Sequence, residues 1–244
     1  YDAYKKQMEY CISLMVNADN AIDVAHAERV PLPYESCMVD DCISKGLTVQ
    51  EGGAVYNFTG PQGFGIANMA DSLYAIRKLV YEEKKVSMKE MKEALAWNYD
   101  KGLDEQSISD MTEMILKGMQ EGGMAINTDT AKAVAQTVAR LKPTEEQLRR
   151  FTEIHHMIDE VPKFGNAIDD VDYFARDVAY TYSRPLLKYH NPRGGQFQAG
   201  LYPVSANVPL GGQTGATPDG RYAHTPVADG VSPSAGKDVN GPTA

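Results

Sequence analysis

Residues 191–243 read NPRGGQFQAGLYPVSANVPLGGQTGATPDGRYAHTPVADGVSPSAGKDVNGPT, and this stretch decides how the chain folds. It holds about half of the chain's 21 glycines and 13 prolines, and it has almost no helical period. Apolar residues at positions 197, 199, 201 and 203 alternate with Gln198, Gly200, Tyr202 and Val204. This alternation predicts one strand of roughly eight residues, 197–204.

Beyond the predicted strand, turn residues follow one another too densely for a second long element. The sequence Thr217-Pro-Asp-Gly predicts a turn, because Pro218 presets φ and Gly220 tolerates a positive φ. Tyrosine, leucine and valine side chains are spread through the same stretch and argue against disorder. Long irregular backbone inside a compact protein is usually functional, so we interpret the stretch as a strand that runs into ordered loops lining a site.

Composition excludes several classes of protein. The chain has 244 residues, of which 43% are hydrophobic, enough for one large domain or two. A net charge of −9 argues against binding to nucleic acid or to a membrane surface, and no apolar run is long enough to span a membrane. Three cysteines are too few for a disulfide framework and favour a reducing cytoplasm. The lack of an initiator methionine leads us to expect a piece of a longer protein.

The rest of the chain is predicted to be mostly helical. Apolar residues recur at intervals of three and four, and two capping boxes, Ser87 to Glu90 and Thr144 to Gln147, mark helix starts. Gly52 and Gly53 precede a second predicted strand, residues 54–59. The predicted helices cover residues 4–26, 34–44, 66–80, 87–99, 108–121, 131–141, 144–158 and 169–189.

The segment Gly60-Pro-Gln-Gly-Phe-Gly65 joins the predicted strand 54–59 to a helix. A strand, a glycine loop and a helix start can cradle a phosphate on free backbone N–H groups. The spacing matches neither the P-loop nor the dinucleotide fingerprint, and no lysine follows it. We therefore favour a tight turn and keep a phosphate-binding module as an alternative.

Other candidate sites are weaker. Cys37 and Cys42 do not form a Cys-x-x-Cys motif, so we expect two small buried apolar residues. His155 and Asp159 lie one helical turn apart and could supply half of a metal site, but nothing nearby completes it and we expect a surface pair. Asp169, Asp170 and Asp172 suit the first turn of a helix rather than a calcium loop. We predict no metal site.

Two blocks carry a resemblance to a known family. PRGGQFQAGLYPVSANVPLG, followed by GATPDGR, ADGVSP and GPTA, resembles the pyruvate formate-lyase-like glycyl radical enzymes, as does EGGAVYNFTGPQGFGIANMADSLYAIRKLV at residues 51–80. The resemblance implies an α/β fold built on a ten-stranded α/β barrel. Residues 1–244 would then be a later part of that barrel domain, mostly helical with a few strands and a long loop-rich C-terminal stretch.

Two motifs of that family are absent from this sequence. The family's radical-forming cysteine lies in Gly-Cys-x-Glu, and its radical-storing glycine lies in Arg-Val-x-Gly-Tyr. The resemblance therefore implies that the cysteine loop and the glycyl radical domain are not included, that this chain supplies no catalytic residue, and that it is inert alone. The chain also departs from the family at Asn166-Ala167, where Asn-Asp is usual.

The resemblance also implies cofactors and partners. The parent would bind no cofactor, and its glycyl radical would be installed by an activating enzyme that uses S-adenosylmethionine and a [4Fe-4S] cluster. An anaerobic homodimer is expected, in the cytoplasm or inside a bacterial microcompartment. Strands taken from a closed barrel also predict exposed apolar surface.

By position, Tyr202 matches a tyrosine that the glycerol and 1,2-propanediol dehydratases place in the substrate pocket. Isethionate lyases look different there, with a phenylalanine and an arginine where this chain has Gln198, and choline lyases carry an aliphatic residue. We predict Gln198, Tyr202 and Val204 as substrate-binding residues on one strand face, because a neutral amide and hydroxyl suit a small neutral diol. The inserted helical segment 98–163 resembles the propanediol dehydratase branch.

The resemblance then implies dehydration of 1,2-propanediol or glycerol to an aldehyde, by radical elimination of water. Formate acetyltransferase, choline lyase and isethionate lyase remain alternatives within the family. Tyr202 could also be an ordinary core tyrosine with a satisfied hydroxyl.

Overall fold

The computed structural model describes residues 1–102, 105–140 and 143–241. The chain forms two compact units. Unit 1 comprises Tyr1–Ala70, Lys163–Ser205 and Ala228–Ala244, and unit 2 comprises Asp71–Pro162 and Ala206–Val227. The α-helices in chain order are α1 (Asp2–Arg29), α2 (Pro33–Ser36), α3 (Cys42–Lys45), α4 (Ile66–Ile76), α5 (Met88–Ala96), α6 (Glu105–Glu121), α7 (Thr128–Arg140), α8 (Glu145–Glu160), α9 (Asp169–Leu186) and α10 (Asn207–Gly212).

Unit 1 is built around the packing of α1 against α9. Ile12 and Val16 of α1, Leu186 of α9 and Phe197 form its buried core cluster. The apolar stripe predicted for the first helix is therefore the face that is buried. Phe197, which belongs to the irregular C-terminal stretch, is fully buried in the same cluster and anchors that stretch to both helices.

Unit 2 contains the helical segment that separates the two family-like blocks. Helix α6 packs against α7, and α5 packs against α8. The buried face of α8 consists of Phe151, Ile154 and Ile158, which recur at the predicted intervals of three and four residues. The predicted apolar position Leu141 lies outside the described residues.

Both predicted capping boxes are confirmed. The hydroxyl of Ser87 accepts the backbone N–H of Glu90 at 3.1 Å, while the Glu90 carboxylate accepts the backbone N–H of Ser87 at 2.8 Å. Thr144 and Gln147 make the same reciprocal pair at the start of α8. These four bonds satisfy N–H groups that a helix start leaves without an intrahelical partner.

Two helix predictions need correction. The single helix predicted over 34–44 is two one-turn helices, α2 and α3, since Asp41 between them has a left-handed φ of 73°. Helix α4 does not continue regularly, because Arg77–Glu82 forms a π-helical turn after it. Helix α10 was not predicted, since its sequence NVPLGG carries proline and two glycines.

The two predicted strands, 54–59 and 197–204, are wrong as continuous strands. They meet only through two isolated parallel bridges in one register, Thr59 to Phe197 and Gln62 to Gly200. Between these bridges lies Pro61, which has no N–H and cannot donate the next hydrogen bond of a parallel ladder. The described residues therefore contain paired backbone without a regular strand.

The expected apolar surface is present in unit 1. Tyr34, Ile43 and Tyr56 are 81%, 72% and 83% exposed, far more than such large apolar side chains usually are in a closed domain. Within the described residues, no helix is long and apolar enough to cross a membrane.

Candidate substrate-binding strip

The residues predicted to bind substrate lie on a strip, residues 196–204, that is fastened to residues 59–63. The N–H of Thr59 donates to the carbonyl of Gln196 at 3.2 Å, and the N–H of Gln198 donates back to Thr59 at 2.9 Å. Further along, the N–H of Gly200 donates to the carbonyl of Pro61 at 2.9 Å, and the N–H of Gly63 donates to Gly200 at 2.8 Å. Four backbone hydrogen bonds thus fix the path of the strip.

The side chains of the strip alternate as predicted from Phe197 to Tyr202, while Pro203 and Val204 are both exposed. Phe197 is fully buried and Ala199 packs against the same core cluster. On the other side, Gln198 is exposed, Tyr202 is 60% exposed and Val204 is 37% exposed. The extended backbone still sends successive side chains to opposite sides, although the ladder is interrupted. The structure therefore places the three predicted residues on the accessible side of one strip.

Two glycines lie in close contact at the strip. A side chain at Gly200 would bring its Cβ to 3.1 Å from the carbonyl oxygen of Gly60, which is a tight contact. A side chain at Gly230 would bring its Cβ to 2.5 Å from the carbonyl oxygen of Leu201, and Gly230 also has a positive φ of 49°. At Gly230, neighbouring backbone therefore approaches the strip more closely than a Cβ would allow.

Two backbone N–H groups of the glycine loop 60–65 bind other parts of unit 1 and are not left free for an anion. The N–H of Gly63 is bound to Gly200, and the N–H of Gly65 donates to the carbonyl of Ala228 at 2.8 Å. The hydroxyl of Tyr182 donates to the carbonyl of Pro61 at 2.6 Å, and burial raises the pKa of Tyr182 to about 12. A phosphate cradle needs free N–H groups, and these two are occupied. The geometry favours the turn that we preferred from the sequence.

His155 and Asp159 are not a simple surface pair, which corrects our expectation. In unit 2, the His155 ring stacks on Tyr222 at 4.8 Å between centroids and meets the edge of Tyr99 at 4.6 Å. One ring nitrogen lies 2.9 Å from the carbonyl of Gly220, and the other lies 3.5 Å from the Asp159 carboxylate. Long-range packing created this cluster, and the local spacing of the two residues gave no sign of it.

The tyrosines of that cluster are held by their hydroxyl groups. Tyr99 is fully buried and donates to the carbonyl of Thr217 at 2.7 Å, while Tyr222 donates to the Asp100 carboxylate at 2.7 Å. Burial is the main cause that raises both pKa values, that of Tyr222 to about 12. The predicted turn at 217–220 is confirmed, since Gly220 has a φ of 93° and its N–H donates to Thr217 at 3.1 Å.

The cysteines divide into two classes. Cys42 is buried as predicted, but Cys37 and Cys11 are exposed, which corrects the prediction for Cys37. All three are free thiols. In the part of the chain that the structure describes, no group of three or more histidine, cysteine, aspartate or glutamate side chains could hold a metal ion.

Comparison with known proteins identifies the family. A profile described as pyruvate formate lyase-like matches residues 1–211. The chain belongs to the pyruvate formate lyase-like family. Membership predicted from the two sequence blocks is thereby confirmed, and glycyl radical enzymes are among the relatives, including one from Archaeoglobus fulgidus whose structure is 31% identical, with a TM-score of 0.67 over 96% of this chain and 24% of that one.

Two solved structures of this family are especially similar. One, from a study of 1,2-propanediol dehydration in Roseburia inulinivorans, is 60% identical, with a TM-score of 0.93 over 99% of this chain and 29% of that one. The other, the glycerol-bound B12-independent glycerol dehydratase from Clostridium butyricum, is 45% identical, with a TM-score of 0.72 over 99% of this chain and 25% of that one. The barrel type of fold is supported by both, while the number of ten strands stays a prediction.

Two curated relatives are dehydratases by name. The probable dehydratase YbiW of Escherichia coli is 35% identical over 249 residues, and the trans-4-hydroxy-L-proline dehydratase of Clostridioides difficile is 30% identical over 244 residues. Each match covers 100% of this chain and 25% of the relative. The chain thus spans about a quarter of the length of these pyruvate formate lyase-like relatives.

Proposed function

We propose that this chain is part of a glycyl radical lyase that dehydrates a small neutral diol, 1,2-propanediol or glycerol, to an aldehyde and water. The observation that carries the proposal is the 60% identity, over 99% of the chain, to a protein studied for 1,2-propanediol dehydration. The similarity to the glycerol dehydratase, at 45%, is why glycerol remains in the proposal.

The chemistry of the strip supports a neutral substrate. Gln198 offers an amide, Tyr202 offers a phenol hydroxyl, and Val204 offers an apolar surface. A sulfonate or carboxylate substrate would call for an arginine or lysine on this side of the strip, because charged hydrogen bonds are the strong ones. A diol needs only neutral donors and acceptors to orient its two hydroxyl groups.

In this role the strip binds and orients the diol and keeps water away from it. The overall reaction removes one water from 1,2-propanediol and leaves propanal, so no external oxidant or reductant is consumed. When present, the radical-bearing groups supply the hydrogen-atom abstraction that starts this elimination. They would belong to parts of the protein outside this chain, because Cys11, Cys37 and Cys42 do not lie in a Gly-Cys-x-Glu motif.

The same proposal includes the partners expected of such an enzyme. An activating enzyme using S-adenosylmethionine and a [4Fe-4S] cluster would install the radical on the full-length protein. A homodimer in an anaerobic cytoplasm, or in a bacterial microcompartment there, would be the working form. Anaerobic activation followed by electron paramagnetic resonance tests this part, and absence of a glycyl radical doublet in the full-length protein contradicts it.

The substrate is tested by aldehyde formation in the activated full-length protein. We expect turnover of 1,2-propanediol or glycerol. We also expect Tyr202→Phe to lower kcat/KM by an amount that corresponds to a loss of about 0.5–1.5 kcal/mol of transition-state stabilisation, the size of one neutral hydrogen bond. Tyr56→Phe is the matched control, since Tyr56 is also exposed but lies off the strip. Turnover of choline, isethionate or pyruvate without turnover of either diol would overturn the proposal.

A further inference from the structure

Gln62, in the glycine loop, touches the strip where Tyr202 leaves it. The Nε2 group of Gln62 donates a hydrogen bond to the backbone carbonyl of Tyr202. The two residues are 140 positions apart in sequence, so this contact exists only in the folded unit 1. Gln62 also forms the second parallel bridge, with Gly200. The backbone of its neighbours Pro61 and Gly63 therefore holds the strip at Gly200, and the Gln62 side chain holds it again at Tyr202.

The contact is directed at the peptide that carries Tyr202. The Gln62 side chain can come this close because Gly200 has no Cβ, which would lie 2.8 Å from Oε1 of Gln62. From another direction, Gly230 packs on the peptide joining Leu201 and Tyr202, and a Cβ there would lie 2.9 Å from the carbonyl carbon of Tyr202. The backbone at Tyr202 is thus confined by two contacts, although the Tyr202 ring itself is exposed.

The register of the pairing explains why a side chain is needed for this. The backbone pairing between the strip and the loop ends at Gly200, because the next loop donor in this register, the N–H of Gly65, donates to the carbonyl of Ala228 at 2.8 Å instead of to the carbonyl of Tyr202. From residue 201 onward, the position of the strip depends on contacts other than the ladder. The amide of Gln62 provides one such contact, at the residue whose side chain is predicted to meet substrate.

We propose that Gln62 is a positioning residue for Tyr202, and that through Tyr202 it sets how tightly the diol is bound. This inference rests on the proposed function. Gln62 does not touch substrate in this proposal, since its amide is directed at the Tyr202 backbone. Loosening that backbone lets the phenol move away from its hydrogen-bonding position, and small displacements of positioning groups weaken binding markedly.

Kinetics of the activated full-length protein test the role. Gln62→Met keeps the length of the side chain and removes the donor. We expect the KM for 1,2-propanediol to rise about three- to tenfold, the effect of one hydrogen bond, with kcat changed less than about twofold, because bound substrate and transition state lose the same contact. Gln50→Met is the matched control, since the Gln50 amide accepts one hydrogen bond from the backbone N–H of Leu32 at 3.1 Å and lies outside the strip.

A double-mutant cycle separates a positioning role from a general structural one. In a Tyr202→Ala background, Gln62→Met should have almost no further effect on KM, because the group that it positions is gone. An equal rise of KM in both backgrounds would overturn the proposal. Gln62→Glu is a second variant, which keeps the shape and replaces the donor with an oxygen that repels the Tyr202 carbonyl, so it should raise KM at least as much.

Hydrogen exchange measured by mass spectrometry tests the contact independently of any substrate. We expect peptides covering residues 198–206 to exchange faster in Gln62→Met and unchanged in Gln50→Met. If the wild-type protein turns over no diol, the proposed function fails while this measurement still decides the role of Gln62. Unchanged exchange in both Gln62→Met and Gln62→Glu would overturn the inference.

Discussion

Tyr202 in unit 1 and Tyr222 in unit 2 belong to the same irregular stretch, yet the contacts of their rings and hydroxyl groups differ. Tyr222 has its ring stacked on His155 and its hydroxyl bound to Asp100. Tyr202 has its backbone confined by Gln62 and Gly230 while its ring is 60% exposed, and no described residue hydrogen-bonds its hydroxyl. A tyrosine whose ring and hydroxyl are both engaged stabilises the fold, whereas the exposed ring and free hydroxyl of Tyr202 agree with the proposed contact to substrate.

The largest difference should appear when the rings are removed. Tyr99 lies in the same cluster as Tyr222 and is fully buried, so Tyr99→Ala should lower the free energy of unfolding by about 3–5 kcal/mol. Tyr202→Ala should change it by no more than about 0.5 kcal/mol, because the ring is largely in solvent. Urea denaturation measures both. Equal losses would mean that Tyr202 is part of a core, and the contrast between the two regions would be wrong.

Close backbone approach in unit 2 gives the next largest effect. A Cβ at Gly211 would lie 2.5 Å from Cα of Pro226 and would also collide with the carbonyl of Thr225. Gly211→Ala should therefore cost about 1–3 kcal/mol of unfolding free energy, as overpacking does. Gly212→Ala is the control, since its Cβ would meet nothing within 4 Å. Thermal unfolding that shifts alike for both variants would contradict the packing described for this loop.

Removal of the hydroxyl group alone should change the free energy of unfolding at Tyr222 but not at Tyr202. Tyr222→Phe loses the hydrogen bond to Asp100 and should lower the free energy of unfolding by about 0.5–1.5 kcal/mol at neutral pH, while Tyr202→Phe should leave it nearly unchanged. Because the folded-state pKa of Tyr222 is raised to about 12, its neutral form stabilises the fold fully below pH 10, and this contribution is lost between about pH 10 and 12. Urea denaturation across that range should show a shallower loss in Tyr222→Phe.

The smallest predicted effect concerns acid. Hydrogen bonds from Ser87, followed by Arg150, lower the pKa of Glu90 in unit 2 to about 2. A depressed carboxyl pKa stabilises the fold above the ordinary pKa, and the contribution disappears as the pH falls from about 4.5 towards 2. Since the Glu90 side chain is 36% exposed, we expect only about 0.5–1 kcal/mol. Glu90→Gln should flatten the stability profile over that range, whereas Gln198→Ala on the strip should leave its slope unchanged.

Local sequence patterns predicted part of the candidate site but not all of it. Alternation predicted correctly that Phe197 is buried and that Gln198 and Tyr202 are accessible, because an extended backbone turns each successive side chain over, but it failed at Pro203, which is exposed like Val204. It failed to predict that the strand is interrupted, since Pro61, which breaks the ladder, lies on the partner segment. Gln62 was missed for a similar reason. Its loop stood out from the sequence, but only as a turn or a phosphate cradle.

By itself, the sequence determined most of the longer helices, both capping boxes, the alternation at Phe197 and Gln198 and the family, all of which rest on residues a few positions apart or on contiguous blocks. Only the tertiary structure decided that residues 59–63 pair with residues 196–200, that His155 lies between two tyrosines, and that Gln62 holds the backbone of Tyr202. Helix periods and caps are local interactions that leave a regular signature in sequence. Contacts between residues more than about fifty positions apart leave none, because any of many partners could satisfy the same hydrogen-bonding group until packing selects one.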